Sequence, residues 1–78
     1  MTKTTCETNV KGNKKYIIKY DNETMAAAAH SAYRSMVVAY EAYIGKQCIG
    51  FVVNLVDKRY VIVTGKEELF ENIFGEVL

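Results

Sequence analysis

His30 is the only histidine in the 78-residue chain, so it is the first residue to consider for acid–base chemistry. At helical spacing, Arg34 and Glu41 share its face, about one and about three turns further along. A catalytic site would place this trio around a substrate. No nucleophile or second base stands at a predictable distance from His30, so we interpret this face as a solvated helix surface with weak ion pairs.

The two cysteines, Cys6 and Cys48, are the other candidates for reactive chemistry. They form no Cys-x-x-Cys pair, and one histidine cannot complete a zinc set with them at the usual spacing. A reactive thiol needs a nearby cation or helix N-terminus, and in sequence only Lys46 stands near Cys48. The glycines are scattered and form no phosphate-binding loop. We therefore predict reduced structural thiols, no metal, no cofactor and no enzyme activity.

The composition is typical of one small globular domain. Half of the residues are hydrophobic, 24% are charged and the formal net charge is +1, so no strong overall field attracts nucleic acid or a membrane. The longest uncharged runs have ten residues each, at 24–33 and 47–56, whereas a membrane-spanning helix needs about 20 apolar residues. The N-terminal residues lack the apolar core of a signal peptide. These features predict a cytoplasmic protein without a membrane association.

Hydrophobic periodicity then places the first elements. Residues 1–13 show no sustained period and are predicted to be a flexible leader, which leaves 14–78 as the single domain. Lys14–Tyr20 alternates, which predicts a strand, and Glu23 to about Ile44 follows a helical period that ends at Gly45. The helix stripe expected to face the core comprises Met25, Ala29, Ala32, Met36, Tyr40 and Tyr43.

Two further strands, Gln47–Val56 and Arg59–Thr64, are predicted to form a hairpin around a turn at Asp57-Lys58. A two-residue turn pairs Leu55 with Tyr60 and Val53 with Ile62. The face expected to lie in the core then comprises Phe51, Val53, Leu55, Tyr60 and Ile62.

The last predicted element is a short helix. Thr64 to Glu67 has the Ser/Thr-x-x-Glu form of a capping box, and Gly75 is the expected end. The fold class is therefore α+β in the order β-α-β-β-α, with a three-stranded mixed sheet packed on one long helix. The β-α-β unit implies a parallel pair of strands, and the hairpin adds an antiparallel neighbour.

The second face of the predicted sheet gives the leading functional hypothesis. It is also apolar, and its members include Ile17, Val52, Val61 and Val63. One long helix cannot cover both faces of a sheet, so either the short C-terminal helix or a partner chain is expected on the second. Val38 is a further apolar residue on the helix face that carries Arg34 and Glu41. These residues predict a non-enzymatic protein-binding module, acting as an inhibitor or as a self-associating subunit in a homodimer.

A nucleic-acid-binding module is the alternative. Basic residues interleave with Tyr16 and Tyr20 in the first strand, and basic residues with aromatics hold phosphates and stack bases. The residues that would bind are Lys11, Lys14, Lys15, Lys19, Lys58 and Arg59. This hypothesis is less favoured, because the two tyrosines share the face of Ile18 and are better explained as core.

Overall fold

A computed structural model describes residues 3–8 as backbone and residues 12–75 with their side chains. Its elements are β1 (Lys3–Thr8), β2 (Asn13–Lys19), α1 (Glu23–Ile44), β3 (Val52–Val56), β4 (Tyr60–Lys66) and α2 (Glu67–Phe74). From β2 to α2 the order is β-α-β-β-α, which confirms the predicted α+β class.

The sheet has four strands in the order β1-β2-β4-β3, and every neighbouring pair is antiparallel. The predicted mixed sheet is therefore wrong. Strands β2 and β3 run in the same direction, as the β-α-β unit requires, but β4 lies between them. The short hairpin after β3 folds β4 back into this gap, where it makes antiparallel ladders on both sides.

The first strand corrects the predicted leader. Lys3–Thr8 pairs with β2, with Thr5 opposite Ile17, so this part of 1–13 belongs to the sheet. Residues 1, 2 and 9–11 lie outside the described part of the chain. The strand was missed because it contains little apolar sequence, although threonine, a β-branched residue, favours extended backbone.

Removing residues 1–12 is expected to lower the thermal midpoint of unfolding. Without β1, one side of β2 loses its backbone partners, and the bond from the Glu67 amide to the Gly12 carbonyl (3.0 Å) is also lost. In a domain of this size each 1 kcal/mol corresponds to roughly 4–8 °C. Thermal melts of the full and shortened chains, followed by circular dichroism, measure this shift. Identical midpoints would show that β1 contributes nothing to stability.

The β3–β4 hairpin has the predicted turn but a different register. Asp57 and Lys58 both have left-handed backbone, with φ of 51° and 62°, and the Arg59 amide donates to the Val56 carbonyl at 3.3 Å. The strands then pair Val56 with Tyr60, so Arg59 is one extra residue between turn and ladder. A shift of one residue moves every side chain of a strand to the other face.

This shift moves Val61 and Val63 into the core. Both are 0% exposed and lie on the sheet face that packs against the helices, so their predicted place on a partner-binding surface is wrong. Tyr60 and Ile62, predicted in the core, lie on the opposite face and are half-buried. Leu55 does lie on the helix side, but it is 38% exposed because β3 is at the sheet edge.

Gly65 explains why this face of β4 packs against the helices. A Cβ atom at Gly65 would lie 2.1 Å from Cδ2 of Phe51, so the absence of a side chain makes room for that ring. The Phe51 ring centroid is 4.9 Å from that of Phe70 and 5.9 Å from that of Phe74, both on α2. The core is thus an aromatic cluster held between the sheet and α2.

Helix α1 begins and ends where the sequence predicts. The side chain of Asn22 accepts a hydrogen bond from the Met25 amide (2.8 Å), and Gly45 ends the helix with left-handed backbone. The buried stripe is rotated from the predicted one. Ala26 is 0% exposed, whereas Met25 is 45% and Tyr43 87% exposed. The small Ala26 side chain lets the helix approach the core closely, which turns these larger residues outward.

Helix α2 ends at Gly75 as predicted, but the predicted capping box does not form. Thr64 remains in β4, and Lys66 occupies the N-cap position without a side-chain bond to the helix. Glu67, in the first turn, instead makes an ion pair with the Lys14 ammonium at 3.2 Å. Thr64 does not cap the helix because β4 continues past it to Lys66, which pairs with Asn13 of β2.

Candidate binding surface

The sheet face opposite the two helices is the first candidate surface. Both helices pack on the face of Ile18, Val61 and Val63, and neither described helix lies over the other side. We name that other side the open sheet face. Its members on β2, β3 and β4 are Asn13, Lys15, Ile17, Lys19, Val52, Asn54, Val56, Tyr60, Ile62, Thr64 and Lys66.

The centre of the open sheet face is apolar on β2 and β4 and polar on β3. Ile17 pairs with Ile62, and Ile62 pairs with Asn54 on its other side. Val52 and Val56 lie on the outer strand and are 44% and 38% exposed. Ile17 and Ile62 are directly opposed and contact one another, while Val52 and Val56 lie diagonally to Ile62 on either side of Asn54. These four residues form an apolar strip that Asn54 interrupts on β3. Such a strip without a covering layer is typical of an interaction surface.

Positive charge lies beside this strip. Lys15 and Lys19 are exposed, and the Lys19 ammonium lies 5.9 Å from the centroid of the Tyr60 ring. Among residues 12–75, the members of the open sheet face include lysines and no carboxylate. On β1, Glu7 is opposite Lys15 in register. The charged side chains that residues 12–75 contribute to this face are therefore positive.

The six residues predicted to bind nucleic acid do not form one surface in the structure. Lys15 and Lys19 lie together on the open sheet face, while Lys58 and Arg59 are exposed at the hairpin. Lys14 lies on the helix side, paired with Glu67, and Lys11 is outside the described residues.

The two tyrosines of β2 belong to the core, as the sequence indicated. The ring centroid of Tyr16 is 5.0 Å from that of Phe70. Burial raises the pKa of Tyr20 well above its usual range, and a hydrogen bond with Tyr33 adds to this effect. Neither ring is placed to stack on a base bound at the open sheet face.

The outer face of α1 is a second candidate surface. Val38 is 58% exposed, and an open depression of about 500 Å³ is lined by His30, Ser31, Arg34, Ser35, Val38 and Ala39. His30 is half-buried rather than solvated, with Nε2 3.2 Å from the Val53 carbonyl oxygen. Glu41 accepts a hydrogen bond from the Cys48 amide at 2.8 Å. His30 and Glu41 therefore bind backbone groups of their own chain, and Arg34 and Val38 remain exposed.

The Cys48 thiol is poorly suited to nucleophilic chemistry. Partial burial raises its pKa, and the nearby Glu41 carboxylate raises it further, so the reactive thiolate form is disfavoured. The structure describes Cys6 as backbone only. Among the described residues, no group of three or more histidine, cysteine or acidic side chains is placed to hold a metal ion.

Neither α1 nor α2 combines the length and the apolar character needed to cross a membrane. Comparison with protein-family models, with curated proteins and with solved structures finds no match. The function is therefore inferred from the geometry and charge of the surfaces described above.

Proposed function

We propose that this chain is a small, non-enzymatic cytoplasmic module that binds an acidic protein through its open sheet face. The observation that carries the proposal is the position of the helices. Because α1 and α2 pack on the same side of the sheet, neither described helix covers the strip around Ile17 and Ile62. A small domain has little core to spare, so exposing such a strip is best explained by a partner.

The partner is inferred to be a protein because the centre of the open sheet face is aliphatic. Isoleucine and valine side chains pack well against apolar protein surface, but they offer no stacking platform for bases. Tyr60 is the one aromatic member of this face within residues 12–75. Shape and chemistry therefore favour burial against another protein.

The partner is inferred to be acidic because of the lysines beside the strip. Lys15 and Lys19 would attract carboxylates around the edge of the contact and speed association. A second copy of the chain placed face to face would instead bring lysines together, which is unfavourable. Binding of this kind would let so small a domain inhibit its partner by covering a functional surface.

Reversing the charge of two lysines is expected to abolish partner capture. The double variant Lys15→Glu and Lys19→Glu changes only exposed side chains, so it should fold. Immobilised wild-type and variant chains would be incubated with nuclease-treated lysate of the cells that make the protein. We expect acidic proteins retained by the wild type to be depleted by about tenfold or more, the equivalent of roughly 1.4 kcal/mol.

The matched control is Arg34→Glu, which reverses a charge on the exposed outer face of α1. It should retain the same proteins as the wild type. Loss of capture with Arg34→Glu, and not with the double variant, would move the binding surface to α1.

Binding of single-stranded nucleic acid is the second candidate, and the placement of Lys19 beside Tyr60 favours it. Fluorescence anisotropy with labelled DNA and RNA oligonucleotides at several salt concentrations distinguishes the two functions. Salt-sensitive binding that is lost in the double variant would favour nucleic acid. Failure to bind either oligonucleotide, with retention of acidic proteins, would favour the protein partner.

A further inference from the structure

Strand β3 is at an edge of the sheet, and no described strand pairs with its outer side. The Tyr20 amide donates to the Arg59 carbonyl at 2.9 Å, so the backbone carbonyl of Arg59 points towards β2. Because antiparallel residues alternate in direction, Tyr60, Ile62 and Thr64 bond towards β3. On β3 the same alternation directs the amides and carbonyls of Val53 and Leu55 away from the sheet.

His30 confirms this direction, since its ring nitrogen reaches the Val53 carbonyl from outside the ladder. Within the described residues, no hydrogen bond reaches the outward groups of Leu55. Sheet edges are usually protected by lysine, proline or a bulge, and Val52–Val56 contains none of these. Its side chains are also partly open, with Leu55 38% exposed.

We propose that β3 pairs with β3 of a second copy of the chain, antiparallel and about a two-fold axis at Asn54. In this register Val53 of one copy faces Leu55 of the other, and each pair exchanges the amide and carbonyl groups that now point outward. Val52 is opposite Val56 of the second copy, and these two side chains project from the opposite face of the sheet to Val53 and Leu55. The two sheets join into one.

The sequence of β3 is self-complementary in this register. Apolar residues meet apolar residues, and the two Asn54 amides meet at the axis, where each can donate to and accept from the other. The His30 ring bonds the outward Val53 carbonyl, so the incoming amide must share that oxygen through its second lone pair or displace the ring. No charged residue within β3 opposes a like charge, unlike a contact between two open sheet faces.

Leu55→Pro tests the backbone contribution directly. Proline removes the outward amide of Leu55 while leaving the inward ladder to β4 intact, and proline is accepted at such positions of edge strands. Leu55→Ala is the matched control, because it shortens the side chain and keeps the amide. By sedimentation at rising concentration, the wild type and Leu55→Ala should move from monomer to dimer mass, whereas Leu55→Pro should stay monomeric with a cooperative thermal transition.

A charge swap at Asn54 tests the two-fold register and remains decisive if Leu55→Pro fails to fold. Asn54→Lys alone and Asn54→Asp alone place like charges at the axis and should stay monomeric, whereas an equimolar mixture should form a dimer. A wild type that is monomeric at every concentration, or a folded Leu55→Pro that still dimerises, would overturn the proposal. The Lys15→Glu and Lys19→Glu variant should dimerise normally, which separates this edge from the proposed partner surface.

Discussion

Replacing Val61 with lysine is expected to unfold the protein. Val61 is 0% exposed and lies in the central strand β4, beneath the helices. A lysine there must either bury an unpaired ammonium group in apolar surroundings or push the helices off the sheet. A chain of 78 residues has a free energy of unfolding of roughly 4–12 kcal/mol, and a buried unpaired charge is large enough to consume it.

Val52→Lys is the matched control, because it makes the same change on the open sheet face, where the side chain is 44% exposed. It should alter the free energy of unfolding by less than about 1 kcal/mol. Circular dichroism and urea denaturation of both variants decide the result. A stable Val61→Lys beside an unfolded Val52→Lys would mean that the faces of the hairpin are the reverse of those described.

Truncating Phe51 to alanine is expected to destabilise the fold by about 3–5 kcal/mol. Its ring fills the space above Gly65 and contacts the rings of Phe70 and Phe74, so its removal leaves a cavity at the centre of the core. Urea denaturation measures the loss. A loss below about 1 kcal/mol would show that the ring is not packed in the core.

Gly65→Ala tests the same contact from the opposite side. The new Cβ would lie 2.1 Å from the Phe51 ring, so an overpacking cost of about 1–3 kcal/mol is expected. In the Phe51→Ala background the clash is gone, and Gly65→Ala should then cost nothing or stabilise the fold. Additive losses in this double-mutant cycle would contradict the contact.

Local signals made much of the fold predictable. Asn22 and Gly45 mark the two ends of α1 through cap chemistry that depends on a few neighbouring residues. The turn at Asp57 and Lys58 is a local feature of the same kind. In each case the residue and its partner are close in sequence, so no tertiary contact is needed to infer the structure.

The register of the hairpin cannot be predicted from the alternation of apolar residues. Both faces of β4 are apolar, one through Tyr60 and Ile62, the other through Val61 and Val63. The extra residue at Arg59 decides between them, and no local pattern marks it. Gly65 could have indicated the core face of β4. It lies on the same face as the two valines, and a glycine within a strand suggests the close approach of a large ring.

The sequence predicted part of the open sheet face correctly and assigned other residues to it wrongly. The sequence left open whether the short helix or a partner covers the second face; in the structure both described helices lie on the other side, and Ile17 and Val52 lie on the open sheet face. The register error replaced Ile62 and Tyr60 with two core valines. Binding through this face remains the proposal, and its physical basis is the exposure of the apolar strip.

The exposure of that strip can be measured directly by solvent paramagnetic relaxation of methyl groups, with a neutral gadolinium chelate in the buffer. Because the proposed partner surface depends on this exposure, the experiment tests the central claim. We expect strong relaxation of the Val52 and Val56 methyls, intermediate relaxation for Ile17 and Ile62, and protection of Val61 and Val63. Protected Val52 and Val56 methyls, with strongly relaxed Val61 and Val63 methyls, would contradict the account.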